Sequence, residues 1–350
     1  MRYWCGTEEG KMTKPKIFIT QPIQESALQR LRKAMDIEVH PDSSGTISKK
    51  DLIKGVSRND YLFCRLGDIV DAEVIAANPN LKLIATMASS PGAIDVKEAN
   101  RRKIPITGRK MPVTGIPADA IFEETADLTW ALLLAVARRI VEGDKLARAG
   151  IFPGCQSMYL MGSLVYGETL GIIGMGKVGE AVARRARGFS MKILYYSRKQ
   201  YQEIESRLGV ITYVSLEELL KESDFVSLHP KYTPETHHMI GDREFSLMKP
   251  TSFLINTSRG PVVDQESLIR ALRSKMIAGA ALDVFEGEPY PHLPKELINL
   301  KNVVLTPHIG SGVAEKRELM ANVVVDRILA FIEGKTPPVI FNPEIYGEKK

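Results

Sequence analysis

The sequence predicts an α/β protein of two doubly wound domains, the second inserted into the first. Three observations predict it. From residue 16 onward, apolar runs of about four to seven residues alternate with amphipathic stretches, the pattern of βαβ units feeding a parallel sheet. A long helical stretch, Ala120–Leu146, interrupts this series, and a second series of six strand-like runs follows it. The chain then ends in another helical stretch, Val313–Glu333, whose predecessor TPHIGSG reads as a crossing back to the first domain. A length of 350 residues is enough for two such domains, each with its own core.

In the first series KIFIT, IEVH, YLFCRL and LKLIAT supply the apolar runs, and SALQRLRKAM, KKDLIKGV and AEVIAA the amphipathic stretches between them. TGIPADA holds the turn and start signals of the long helix. The second series runs TLGIIG, MKILYY, FVSLH, SFLINTS, GAALDVF and NVVLTPH, the six strands that a complete dinucleotide-binding fold requires. The expected boundaries are residues 14–117 with 315–345 for the outer domain and 118–314 for the inserted one. Residues 1–13 form a polar extension in which Met12 is an alternative start.

Composition removes several function classes. Apolar content of 44% and charged content of 25% are those of a globular protein rather than a disordered one. The formal charge of +5 is modest, and its Lys and Arg residues are scattered beside Glu and Asp. That describes a solvated surface rather than a nucleic-acid footprint. Cys5, Cys64 and Cys155 lie far apart without metal spacing, so unpaired thiols in a reducing compartment, the cytoplasm, and no metal site are expected. The longest apolar run, WALLLAVA, falls well short of the roughly twenty residues that span a bilayer, and the N-terminus has no apolar core of signal-peptide length.

The chemistry starts at TLGIIGMGKVGEAVARRA. It places Gly174, Gly176 and Gly179 in GxGxxG spacing between a strand-like run and a helical one. The first glycine makes the tight turn, the second lets backbone approach a pyrophosphate, and the third lets helix pack on strand. The helix N-terminus adds unpaired N–H groups for the phosphates. About twenty residues on, where an acid ordinarily holds the free 2′-hydroxyl of NAD, the sequence has Ser197, Arg198 and Lys199. A hydroxyl and two cations suit a 2′-phosphate, so NADP is the expected cofactor. The alternative is an ordinary solvated loop, with NAD bound without its usual partner.

Three later stretches fall at strand ends, where open α/β sheets take ligands. Arg259, in LINTSRGPVVD, is a fixed fork able to hold a carboxylate and polarise a neighbouring carbonyl. His308, in NVVLTPHIGS, is suited to passing a proton near neutral pH, and Glu288, in AGAALDVFEGEP, can orient that ring and favour its protonated form. Taken singly, each also reads as a capping, surface or turn residue, and periodicity alone does not bring them together.

With GIIGMGKVG, LINTSRGPVVD, AGAALDVFEGEP and NVVLTPHIGS in this order, the chain resembles the D-isomer-specific 2-hydroxyacid dehydrogenase family from about residue 15 to 345. The resemblance implies a Rossmann dinucleotide-binding domain inserted into a flavodoxin-like substrate domain, and a homodimer. It implies Arg259 on substrate carboxylate and carbonyl, His308 as acid and base, and Glu288 as its partner. It also implies cofactor contacts at Lys177, Val178, Pro230, Thr236 and Thr257, with Asp283 towards the nicotinamide carboxamide. Within the family, LYYSR is most similar to NADP-preferring glyoxylate and hydroxypyruvate reductases.

Two departures stand out. The family's glycine-bearing loop that holds the substrate carboxylate reads ATMASSPGAID here, with Ser89 and Ser90 at the matching positions. Lys231 stands where the family commonly has Pro. FPGCQSMYLMG also matches a region that in similar reductases approaches the other subunit's active site, which makes Met158, Tyr159 and Met161 candidate pocket residues, although dimer packing explains them too. The reading is reduction of a small 2-oxo acid to the D-2-hydroxy acid. A phosphite-type or other small-anion dehydrogenase, and a dinucleotide-sensing interaction protein on the same fold, are the alternatives.

Overall fold

The computed structural model describes residues 14–42, 45–88, 90–109, 122–155, 158–288 and 293–347. The expected extension at residues 1–13, the start of the long helix at Ala120 and the candidate Ser89 lie outside them. The chain divides into two compact units, residues up to 118 with those from 313 onward, and residues 119–312.

The first unit alternates β1 (Lys16–Ile19), α1 (Glu25–Ala34), β2 (Asp36–Val39), α2 (Lys49–Val56), β3 (Tyr61–Cys64), α3 (Ala72–Ala76), β4 (Leu83–Thr86), α4 (Val96–Arg101) and β5 (Ile106–Gly108). Its strands pair in parallel in the order β2-β1-β3-β4-β5. Because successive side chains point to opposite faces, Phe18, Leu62, Ile84 and Ile106 pack with Leu52 and Val56 of α2 and with Val74 of α3. Ile17, Ile19, Tyr61, Phe63 and Leu83 pack on the opposite face with Leu28 and Leu31 of α1. Both faces are covered, so the central strands β3 and β4 are buried and largely apolar throughout, whereas the edge strand β2, Asp-Ile-Glu-Val, alternates. Side-chain caps start three of the helices: Ser48, Asp71 and Asp95 accept from Asp51, Val74 and Glu98 amides respectively, each filling one of the orphan donors of a first turn.

The second unit opens with α5 (Glu123–Ala137) and α6 (Ile140–Arg148). The single long helix expected here is two. Ala137 O accepts a hydrogen bond from Ser163 N at 2.8 Å, and Arg139 turns into the left-handed region at φ 53° before the chain resumes as α6. A carbonyl taken by another segment and a left-handed residue each end a run of α-helix, and apolar periodicity registers neither.

There follow β6 (Thr169–Ile173), α7 (Lys177–Ala186), β7 (Lys192–Tyr196), α8 (Gln202–Leu208), β8 (Ile211–Tyr213), α9 (Leu216–Glu222), β9 (Phe225–Leu228), α10 (Asp242–Leu247), β10 (Phe253–Asn256), α11 (Gln265–Arg273), β11 (Gly279–Leu282), α12 (Lys295–Ile298) and β12 (Val303–Leu305). The sheet is parallel in the order β12-β11-β10-β9-β6-β7-β8. It has seven strands rather than six. The additional one, β8, is an edge strand of three residues, Ile211–Tyr213, too short to show an alternating pattern. The order reverses between β6 and β9, the switch point at whose carboxyl ends such sheets take ligands. Finally α13 (Ala314–Ile332) returns to the first unit, where Val324 and Ile328 join the face packed on α1.

Candidate active site

Each fingerprint glycine is fixed by a different contact. Gly174 follows β6 with φ 97°, and a Cβ there would lie 2.6 Å from the His229 carbonyl carbon and the Pro230 nitrogen. Gly179 brings α7 so close that a Cβ would stand 2.2 Å from Gly174 O. Gly176, the N-cap of α7, is different, since a Cβ there would meet no protein atom within 4 Å. Its lack of a side chain therefore serves no internal packing, which fits close approach of an outside group. Lys177 and Val178 form the first turn of α7, with Lys177 Nζ 5.3 Å from the Phe122 ring centre.

Ser197, Arg198 and Lys199 follow β7 on a well-framed loop. Tyr195, fully buried, accepts from Tyr201 N at 2.7 Å and donates to Glu205 at 2.8 Å. Gln200 also donates to Glu205. Ser197 Oγ donates to Lys199 O, and Lys199 Nζ lies over the Tyr201 ring. Arg198 and Lys199 are exposed. Across from them, the Glu235 carboxyl is held below its ordinary value, first by the Thr233 hydroxyl and also by the Arg198 charge.

The segment after β9 carries His229, Pro230 and Thr236. Burial pushes the His229 ring down to about 3, so it is neutral at ordinary pH, and its Nε2 shares a 2.8 Å hydrogen bond with Ser227. Thr236 Oγ1 accepts from Thr233 N at 2.8 Å and donates to Lys231 O at 2.9 Å, which folds this segment into the 3-10 turn Pro234–Thr236.

The chemistry-bearing loops come next. Asn256 ends β10, accepts from Ser258 N and Oγ, and donates to Arg259 O. That one amide shapes the turn which delivers the exposed Arg259, whose Nη1 donates to Ser258 O. Thr257 Oγ1 is 2.8 Å from Thr129 Oγ1 of α5. After β11, Asp283 is buried, and its carboxylate accepts from Thr306 Oγ1, Ile309 N and Gly310 N. Its own carbonyl accepts from His308 N. Asp283 thereby anchors the turn in which His308 adopts a left-handed φ of 54°.

That turn presents His308 Nδ1 to Glu288 Oε2 in a short hydrogen bond, while Glu288 Oε1 accepts from Phe285 N at 2.8 Å. A Cβ on Gly260 would lie 1.9 Å from the Phe285 carbonyl carbon and 2.5 Å from Glu286 N. The Arg259 turn is therefore packed directly on the Glu288 loop, an approach only glycine allows. Glu288 and His308 are joined, and the backbone beside Arg259 touches the backbone leading to Glu288.

The D-isomer specific 2-hydroxyacid dehydrogenase, NAD binding domain, family matches residues 130–310. A glyoxylate reductase of Thermococcus gammatolerans is 46% identical over 96% of this chain and 98% of its own length. The chain belongs to the D-isomer-specific 2-hydroxyacid dehydrogenase family. A solved protein of Thermus thermophilus is 40% identical at a TM-score of 0.77, covering 93% of this chain and 99% of the other. An acyclic imino acid reductase solved with NADPH and D-Arg is 27% identical at a TM-score of 0.69, with coverage of 93% and 99%.

As a member of this family the chain is a 2-hydroxyacid dehydrogenase that uses a nicotinamide dinucleotide. Its residues fit that cofactor: the turn at Gly174, the bare N-cap at Gly176 and the first amides of α7 make an anion cradle at the switch point. Among the described residues no group of three or more His, Cys, Asp or Glu could hold a metal ion, and no helix is long and apolar enough to cross a membrane. Sequence reasoning missed two residues that shape these loops, Asn256 and Gly260. Gly260 follows Arg259 directly and Asn256 stands three residues before it, and an Asn at a strand end followed by Thr-Ser-Arg-Gly is a legible turn signal.

Proposed function

We propose that this dehydrogenase reduces a small 2-oxo acid, glyoxylate or hydroxypyruvate, to the D-2-hydroxy acid, with NADPH as the preferred hydride donor. The observation that carries the reading is the Glu288–His308 pair, held by Asp283 and packed through its loop on the Arg259 turn. Arg259 holds the substrate carboxylate and draws electron density from the adjacent carbonyl. The His308 ring, oriented by its hydrogen bond to Glu288, donates a proton to the carbonyl oxygen as that oxygen becomes the hydroxyl. Reduced nicotinamide, held by the Gly174–Gly179 turn and the first amides of α7, would supply the hydride for the carbonyl carbon. In the reverse direction His308 takes the hydroxyl proton back. Lys177, Val178, Pro230, Thr236 and Thr257 line the dinucleotide. Asp283 keeps acceptor capacity on Oδ2 for the carboxamide, because that oxygen takes only the Gly310 amide among the described residues. Residues 14–117 with 315–345 act as the substrate domain and 118–314 as the dinucleotide domain. Ser89 and Ser90 take the place of the family's glycine loop, and Ser90 is exposed after β4.

The test is a panel of glyoxylate, hydroxypyruvate, pyruvate and phenylglyoxylate, each with NADPH and NADH, followed by loss of reduced-nicotinamide absorbance. Turnover of glyoxylate or hydroxypyruvate, faster with NADPH, is expected, and binding of dinucleotide without turnover of any acid would refute the reductase. The NADP preference rests on Ser197, Arg198 and Lys199. Arg198→Asp removes a charged hydrogen bond worth about 1.5–3 kcal/mol, so kcat/KM for NADPH should fall about 10- to 100-fold while that for NADH holds or rises. An unchanged NADPH to NADH ratio would remove this account of the loop.

A homodimer is part of the same proposal. Phe152, Met158, Tyr159, Met161 and Leu164 are 78%, 79%, 58%, 59% and 64% exposed, a density of bare apolar side chains that marks a covered surface. Light scattering should give twice the chain mass, and Phe152→Asp with Met158→Asp should shift it towards the monomer. A wild-type monomer at micromolar concentration would exclude the dimer.

A further inference from the structure

His238 takes no part in the chemistry assigned above, yet it touches three segments that do. It follows the turn Pro234–Thr236 with a left-handed φ of 50°. Its amide donates to Pro261 O at 2.8 Å, and the bridge between Ile240 and Val263 continues that contact. Its ring Nε2 lies 2.7 Å from Glu286 Oε1, and Nδ1 lies 3.7 Å from Asp264 Oδ2. His237 stacks on the ring at 3.9 Å and is itself 3.3 Å from Tyr232 Oη. Asp264 ends the stretch that begins at Arg259 and caps α11. Glu286 sits two residues before Glu288, on the backbone that Gly260 contacts. One imidazole thus meets a carboxylate from the Arg259 stretch and another from the Glu288 loop, while its own backbone continues the segment of Pro230 and Thr236.

We propose that His238 is a positioning residue: through Glu286 it sets the Glu288–His308 pair in register with the segment that seats the dinucleotide. The inference rests on the reductase reading. Exposed pairs such as His238–Glu286 contribute little to stability, so the effect of this one lies in placement. A misplacement of about 1 Å at reacting atoms can cost about a hundredfold in rate.

The test compares His238→Ala, His238→Gln, Glu286→Ala and the double variant H238A/E286A. Steady-state kinetics are combined with calorimetric binding of NADPH, or of NADH should NADPH not bind. His238→Ala should lower kcat about tenfold and raise the dinucleotide Kd several-fold, with the KM for the 2-oxo acid within about twofold. The melting temperature should move by no more than about 2 °C, as for loss of an exposed pair. Gln, which keeps an N–H donor at similar reach, should restore most of both losses. The double variant should be little worse than His238→Ala, the signature of two residues acting through one contact. Wild-type kcat and Kd in His238→Ala, equal losses in Ala and Gln, or additive losses in the double variant would each overturn the assignment. If the unaltered enzyme turns over no 2-oxo acid, the reductase reading falls, and the calorimetric Kd of the variants decides His238 alone.

Discussion

His308→Ala is expected to lower kcat by about 10³- to 10⁴-fold, the upper range for removal of a positioned acid–base group, while the dinucleotide Kd stays within about twofold. The asymmetry follows from where the residue sits. His308 belongs to the turn after β12, and the fingerprint glycines, α7 and the loop after β7 lie on the other half of the sheet. Removing the ring leaves Gly174, Gly176 and the first amides of α7 untouched. Asp283 still binds the Ile309 and Gly310 amides, so the turn keeps its shape without the imidazole. Glu288 loses its Nδ1 partner but retains the Phe285 amide, and therefore does not become an isolated buried charge. Single-turnover measurement with bound reduced dinucleotide separates chemistry from release, and the loss should appear in the chemical step. Wild-type-like turnover would refute the proton role, and loss of dinucleotide binding would show that the ring supports the fold.

The fold was legible wherever apolar period and length agree. LKLIAT and SFLINTS lead to β4 and β10 because a strand covered on both faces is continuously apolar. The division of Ala120–Leu146 was not legible, since it depends on a Ser163 amide reaching Ala137 from a distant segment. Nor were β5 and β8, each of three residues and too short to carry a period. At the site the residue types were readable and their mutual supports were not. Arg259, Glu288 and His308 stand out as candidates by residue type, although each taken singly also reads as a surface, turn or capping residue. Nothing in composition says that Gly260 permits two loops to touch, or that Asp283 uses three of its acceptor positions on a neighbouring turn. Such roles belong to second partners and appear only once distant segments are placed together.

The Glu288–His308 geometry also limits which tautomer is available. With Nδ1 facing a carboxylate, Nδ1 is the donor in that contact, and Nε2 is the nitrogen it leaves for a substrate. A donor fixed this way needs a substrate held by something else, because the imidazole cannot both orient the acid and protonate it. In the proposed reaction that requirement falls on Arg259.

Arg259→Ala is accordingly expected to lower kcat/KM by about 10²- to 10⁴-fold, from two charge-assisted hydrogen bonds at about 1.5–3 kcal/mol each. Both parameters should suffer, since in the proposed reaction the guanidinium would bind the carboxylate in the ground state and polarise the carbonyl as charge develops. The local fold should survive, because Asn256 holds the turn through backbone atoms: it accepts from Ser258 N and donates to Arg259 O, bonds that do not involve the Arg side chain. Arg259→Lys keeps the charge without the fork, and should recover part of KM but little of kcat. Steady-state kinetics of the wild type, Ala and Lys forms against the best 2-oxo acid make the comparison. Equal recovery of both parameters by Lys would mean that Arg259 acts as a point charge only. Unaltered kinetics in the Ala form would take the carboxylate away from this loop altogether.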